Sequence, residues 1–559
     1  MSRAARPALA WIAPALLAFG CSDPGPTKAD PQPVPDSGAE GGGSGDGTGA
    51  ADGADDTAPV ELPDCAPLRM SLASHLRQEE LPRRTELEQA EHGAGVGDFD
   101  GDGDLDLFIA YEGGSLLAFN DGDAHFTLDD TWTMDGGPLP AANVANLIDI
   151  DHDGDLDVYL GRSRGGPDLL LTQTAPGAFT SVEIPGTETG TRSASWGDVD
   201  GDGDLDIVVA ARPWNLREED FLSGEVEGQA NHLILNEGGR FVQADDRLPT
   251  AENHGVTFQA LLFDADEDGD LDIYSANDAG YQVVPNQLWR NDGAGRFTND
   301  PDCDCDRPMY AMGGAVGDWN DDQRPDLYIS NIGPQLLLAS DPPTWADMTL
   351  AAGALIPQEP EHMTSWGVGN TDLDRDGHDD LWVTFGALAS GTEDSFGALP
   401  GTEAEWYDAE AQQDVVLRGL PGGAWQREES IGLESSPGRQ RSVVFGDLDG
   451  DGDHDAVVVG KHEVRVWRTE GGCETGLKVR IDGPARSPHG HHARVTVTSG
   501  AGRSTRWMLP ERMHGSDDPE LVFGLHGLPS ADRVEVRLAD GTTFAQDDVP
   551  AGLLIVPWD

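Results

Sequence analysis

At 559 residues the chain can hold more than one domain and a sizeable core. Its formal charge of −67 excludes a nucleic-acid partner, because phosphate binding needs clustered cations. Five cysteines are too few for a disulfide scaffold and have no spacing that suits zinc.

Residues 1–20 read as a signal peptide of lipoprotein type. Arg3 and Arg6 form a basic start, and residues 8–19 form an apolar core too short to span a bilayer. Gly20-Cys21 then suggests cleavage, with Cys21 as a lipidated N-terminus, although Leu17 stands four residues before it rather than three. The expectation is an exported protein at the outer membrane or cell surface, touching membrane only through its lipid. Secretion or a periplasmic location is the alternative. Residues 21–64 are rich in Asp, Gly and Pro and cannot bury enough apolar surface to order themselves, so they read as a disordered linker.

Between residues 65 and 473 one pattern occurs seven times: an apolar strand, an Asp-rich loop, then a second apolar strand. A period near 50 residues signals a propeller, solenoid or array. The first loop carries Asp98, Asp100, Asp102, Asp104 and Asp106. The next three carry Asp149, Asp151, Asp153, Asp155 and Asp157; Asp198, Asp200, Asp202, Asp204 and Asp206; and Asp264, Asp266, Asp268, Asp270 and Asp272. The fifth has Asp318, Asn320, Asp322 and Asp326. The sixth has Asp372, Asp374, Asp376, His378 and Asp380, and the seventh Asp447, Asp449, Asp451, Asp453 and Asp455.

Counted from its first Asp, each loop places oxygen donors at positions one, three, five and nine, with the position-seven carbonyl as another. Alternate carboxylates on a tight loop suit Ca²⁺, a hard cation taking six to eight oxygens. An EF-hand is excluded: position twelve is Ile109, Leu160, Val209, Ser275, Ile329, Val383 or Val458, where that motif needs Glu and a following helix. Six to seven calcium ions are expected. The fifth loop should bind most weakly, because Asn320 removes a charge, Arg324 adds a positive one, and Gln323 stands where the others have Gly.

These loops resemble the FG-GAP (VCBS-type) repeats of integrin α-chain propellers. The resemblance implies a seven-bladed β-propeller with one four-stranded sheet per blade. Aromatic-led segments at Phe126, Phe179, Phe241, Phe297, Trp345 and Trp425 supply six outer strands. The seventh should come from the segment around Leu68–Leu72, closing the ring. Cys65 and Cys473 flank that closure and are candidates for a disulfide. Cys303 and Cys305 could form a local disulfide or remain thiols.

Residues 476–559 resemble an ASPIC/UnbV domain, which follows FG-GAP repeats in bacterial surface proteins and in the cartilage acidic protein family. The segments Gly490–Val497, Val522–Gly527 and Val534–Gly541 carry the likeness, although Leu538-Ala539 stands where that family has Trp-Pro. Alternation at Val534, Val536 and Leu538 argues for half-buried strands in a small β-sandwich-like domain. The chain is therefore expected to be all-β.

The function this points to is a calcium-stabilised surface module that binds a protein or glycan. A passive envelope scaffold is the alternative, and a propeller lyase or hydrolase a lesser one. No catalytic motif is evident: His462-Glu463 begins a zincin signature, but Val466 stands where the second His belongs. His489, His491 and His492 read as a solvated loop. Two long insertions, residues 213–231 and 386–413, offer Trp214, Phe221, Phe396, Trp406 and Tyr407 as candidate ligand contacts.

Overall fold

The computed structural model describes residues 62–557, except 64, 78–91, 165, 217–219, 221–222, 250, 358–362, 388–394, 399–404, 408–411, 462 and 483–487. Cys21 and Phe221 lie outside the described residues. So do the side chains of Phe396, Trp406 and Tyr407, whose backbones form the hairpin Ser395–Ala398 with Glu405–Tyr407.

Strands dominate. Among the described residues, seven sheets of four or more strands follow one another before the C-terminal part, antiparallel except where Thr133–Met134 runs parallel to Ala178–Glu183. Their first strands are His92–Gly97, Val144–Ile148, Thr191–Gly197, His254–Phe263, Ala311–Gly317, Ser365–Thr371 and Gln440–Gly446. These pack against one another in that order, and the last returns to the first, so the sheets form a closed ring with first strands innermost. Below, the sheets are blades one to seven.

The ring closes through the N-terminal strand. Ala66–Arg77 pairs antiparallel with Glu463–Gly472 and becomes the outer strand of blade seven, with Leu72 opposite Trp467. The sheet edge left by the last blade is thereby covered. Cys65 and Cys473 form a disulfide beside this seam, with Cα atoms 4.4 Å apart, and Cys303 is bonded to Cys305.

Each inter-blade seam has its own apolar cluster. Phe108, Phe179 and Trp132 fill the seam between blades one and two. Trp319, Trp425 and Phe385 fill that between five and six, and Leu76, Val96 and Val466 the seam where seven meets one. The strands behind these seams are buried on both faces, which is why they read as unbroken apolar runs rather than alternating ones.

The C-terminal part is a β-sandwich of two small sheets. Gly476–Asp482 lies between Glu520–Gly524 and Gly552–Pro557 in one; the other runs in the order Gly502–Trp507, Arg494–Ser499, Ser530–Arg537, Thr543–Pro550. Val479, Ile481, Phe523, Val495, Val534 and Val536 meet between them.

The sandwich sits on the ring at the end bearing the Asp-rich loops and sends one segment down the axis. Ser516 pairs with the blade-one inner strand, its N–H donating to Ala94 O at 3.2 Å and its carbonyl accepting from Val96 N at 3.1 Å. The Asp517 carboxylate accepts from Phe445 N of blade seven at 2.9 Å. Farther in, Met513 packs with Phe258, Tyr310, Met312 and Trp366. The approach requires glycine: a Cβ on Gly515 would lie 1.8 Å from Ala94 O.

Candidate metal loops and the docked sandwich

Each Asp-rich loop joins the first strand of a blade to its second, and the second strand begins at the position-nine Asp. The loop must fold back within eight residues, and its own side chains hold it. The position-one carboxylate accepts the N–H of position six in all seven loops: Gly103 to Asp98, Gly154 to Asp149, Gly203 to Asp198, Gly269 to Asp264, Gln323 to Asp318, Gly377 to Asp372 and Gly452 to Asp447, at 2.9–3.1 Å. Position six is left-handed throughout, and so is position four. Gln323 takes φ 70° and keeps the turn without glycine. The backbone cost remains, since a side chain crowds its own carbonyl in that region.

Position nine has a role that spacing alone does not reveal. Its two carboxylate oxygens tie the loop to the blade in every repeat. In blade three, Asp206 accepts Val199 N at 3.0 Å and, from the third strand, Asn236 N at 2.8 Å. Blade one repeats this with Asp106, Phe99 N and Asn120 N at 3.0 and 2.9 Å. Blade seven does so with Asp455, Leu448 N and Thr469 N at 3.0 and 2.9 Å. Burial pushes these carboxyls up, to about 7 for Asp106 and about 8 for Asp206 and Asp455, while the backbone donors oppose the shift.

The same oxygens converge with others. In blades one to three, ligand atoms of positions one, three and nine lie within 4.8 Å of one another: Asp98, Asp100 and Asp106; Asp149, Asp151 and Asp157; Asp198, Asp200 and Asp206. In blade four the group is Asp264, Asp266 and Asp268. Buried oxygens of Asp149, Asp200, Asp266, Asp318 and Asp447 accept no hydrogen bond among the described residues. Close carboxylates with unshared buried lone pairs are the donor set of a hard divalent cation, so the residues fit calcium.

Position-seven side chains behave differently. Asp204 accepts Gly238 N at 2.7 Å, capping the turn between the third and fourth strands. Asp104 and Asp270 lie against Gly122 and Gly293 of the corresponding turns. These side chains turn away from the cluster.

Basic neighbours separate the loops. Arg247 reaches Asp200 at 2.9 Å, Arg290 reaches Asp266 at 3.3 Å, and Arg468 reaches Asp449 at 3.5 Å. Among the described residues, no Lys or Arg pairs with the carboxylates of blades one and two. Blade six is the most encumbered. The Asp372 carboxylate accepts Gly524 N at 2.7 Å and pairs with Arg506 at 3.2 Å, while Arg506 also pairs with Asp379. Arg418 stands 3.6 Å from Asp376. In blade seven, Lys478 bridges Asp447 at 2.7 Å and Glu520 at 3.2 Å. Loops six and seven are thus docking points for the sandwich. Sequence spacing gave no signal of this, since Arg506 lies 134 residues from Asp372.

The histidines expected in a solvated loop belong to the same interface. His491 and His492 are buried; His491 Nε2 meets Glu511 at 3.1 Å, and His492 Nε2 meets Trp196 O at 2.6 Å. The correction has a simple cause: the loop is covered by blade three and by the axial segment. Trp214 is 57% exposed.

Family models match the chain in two regions. FG-GAP-like repeat matches residues 98–160, 149–209 and 264–329, and ASPIC and UnbV matches 483–556. No curated protein matches. Among solved structures, an Agrocybe aegerita lectin that recognises non-reducing terminal N-acetylglucosamine is 15% identical, over 68% of this chain and 85% of that one, with a TM-score of 0.38. The Vibrio cholerae biofilm matrix protein Bap1 is 11% identical, over 86% of this chain and 63% of that one, with a TM-score of 0.29. Likeness at this level transfers no ligand.

Proposed function

We infer, for a chain built of FG-GAP-like repeats and ending in an ASPIC/UnbV domain, that it is a calcium-stabilised binding module of the bacterial surface. It would be held to the envelope through lipid on Cys21 and engage a protein or glycan. The carrying observation is the convergence of loop carboxylates in blades one to four, joined in blades two to four by buried, unshared oxygens. A donor set repeated blade after blade suits a structural metal rather than one catalytic centre, and binding rather than chemistry follows from that. Calcium would neutralise carboxylates that otherwise repel one another across each loop.

At ~1 mM Ca²⁺, sites of extracellular strength add roughly 0.4–1.4 kcal/mol each. Blades one and two, whose loop carboxylates form no ion pair with Lys or Arg among the described residues, are the strongest sites in this reading. Blade five is weak through Asn320, and blade six through Arg506. The test is thermal unfolding in 1 mM CaCl₂ against EDTA, with MgCl₂ as control. A large upward shift specific to calcium supports the reading; identical midpoints in all three buffers would sink it.

A further inference from the structure

A cleft of about 500 Å³ opens between the sandwich and the Asp-rich loops of blades three and four. Small-molecule sites run from about 300 to 1,000 Å³, so a ligand of one or two rings fits. One wall is loop backbone that includes Gly203 and Gly269. The other is the turn 538–542, which joins Ser530–Arg537 to Thr543–Pro550. That turn holds its own shape: Gly541 N donates to Leu538 O and Leu538 N to Thr542 O, both at 2.9 Å, and the Asp540 carboxylate accepts Thr542 N at 2.8 Å. Asp268, Arg537 and Asp540 are exposed at the mouth, while Leu271 and Leu538 are buried beneath it. A narrower pocket of about 60 Å³ continues the cleft toward blade five, where half-buried Trp507 and Pro325 line it; His492, Arg537 and Leu538 line both parts.

The polar groups of the cleft are mostly acceptors. His492 is more than nine-tenths buried. Its Nε2–H donates to Trp196 O at 2.6 Å, and its Nδ1 has no partner among the described residues. Burial holds the ring neutral, with its pKa lowered to about 4. Nδ1 is therefore a bare lone pair on the side of the ring turned from Trp196. Asp270 stands on the loop wall and Asp540 on the sandwich wall. Asp270 is a position-seven residue whose side chain lies against Gly293 rather than in the metal cluster, so calcium in loop four does not consume it. The donor is Arg537, which forms no ion pair among the described residues.

These groups select a ligand rich in O–H. Hydroxyls donate to carboxylates and to an imidazole lone pair, and their oxygens accept from a guanidinium. A buried acceptor left unpaired is costly, so a hydroxyl reaching Nδ1 gains from the pairing. An acidic ligand meets two carboxylates, and a diamine meets Arg537 and has nothing to accept its hydrogens. Trp507 adds a flat apolar face against which the C–H side of a sugar ring can lie, with its polar rim toward the carboxylates.

We propose that the cleft between the sandwich turn and loops three and four binds a neutral saccharide, with Asp270, Asp540 and His492 accepting from its hydroxyls and Arg537 donating to its oxygens. The proposal rests on the binding-module reading and names its ligand class. The two fail separately: unfolding that ignores calcium sinks that reading, whereas saccharide binding is measured on calcium-loaded protein.

The experiment is saturation-transfer NMR on the full-length chain in 1 mM CaCl₂. The probes are methyl mannoside, methyl galactoside, methyl glucoside and N-acetylglucosamine, with glucuronate and putrescine as charged controls. Saturable transfer to at least one neutral sugar is expected, with affinity lowered at least tenfold in Arg537→Ala and lowered in Asp540→Asn. Both positions are exposed, so both variants should melt with wild type. No transfer to any neutral sugar up to about 50 mM, in the range of weak single-ring binding, overturns the proposal. So does equal affinity in wild type and Arg537→Ala. Binding of glucuronate or putrescine alone also overturns it, and assigns the cleft to a charged ligand.

Discussion

Asp206→Ala isolates the structural role of position nine from any metal it holds. The Asp206 side chain is 1% exposed and is the acceptor for two backbone donors, Val199 N at 3.0 Å and Asn236 N at 2.8 Å. Truncation leaves both buried and unpaired. Each unsatisfied group costs about 1–3 kcal/mol, so the loss is about 2–6 kcal/mol with no ion present. That is a large share of a typical domain's stability. Asp206→Asn keeps one acceptor oxygen and should lose about half as much. Thermal unfolding in EDTA, followed by near-ultraviolet circular dichroism, measures this part alone. Repeating it in 1 mM CaCl₂ adds the metal part, so both variants should fall farther behind wild type there. If Asp206→Ala melts with wild type in EDTA, the loop is not held through this side chain and the reasoning is wrong.

Gln323→Gly should stabilise blade five. Removing left-handed strain returns about 1–2 kcal/mol, offset by about 0.5–1 kcal/mol of glycine entropy, and denaturant midpoints will show the net gain. Arg506→Ala strips the partner from Asp372 and Asp379 at the sandwich interface. Breaking such a buried pair costs about 3–5 kcal/mol, and limited proteolysis should now release the sandwich; an unchanged digestion pattern would count against the docking role. Asp414 tests pH dependence. Burial raises its carboxyl to about 7, against the donors Phe385 N and Trp382 Nε1. The folded state therefore binds a proton that the unfolded chain has released, so this group's contribution to stability falls as pH rises from about 4 to about 7. The stability gap between wild type and Asp414→Asn should shrink over that interval, and a gap that widens contradicts the assignment.

Loop chemistry and strand order were legible because they are local. Carboxylates at every second residue, glycine at position six and a period near 50 residues describe one blade, and copying the blade yields a ring whose only open seam lies at its ends. Cys65, Cys473 and the Leu68–Leu72 segment were readable for the same reason: they flank that seam. Position nine was readable as a candidate ligand but not as the tie between loop and blade, because Asn236 N is an unmarked backbone group thirty residues away. The burial of His491 and His492, the pairing of Arg506 with Asp372 and the descent of Ser516 along the axis depend on how the sandwich sits on the ring. That placement arises from shape and charge matching between surfaces distant in sequence, which no periodic pattern records. The gathering of Arg192, Arg212 and Arg441 on the rings of Phe258 and Trp366 has the same origin. Each is an ordinary residue at or next to one strand end, and only closure of the ring sets blades three and seven around one axis and brings the separate arginines together.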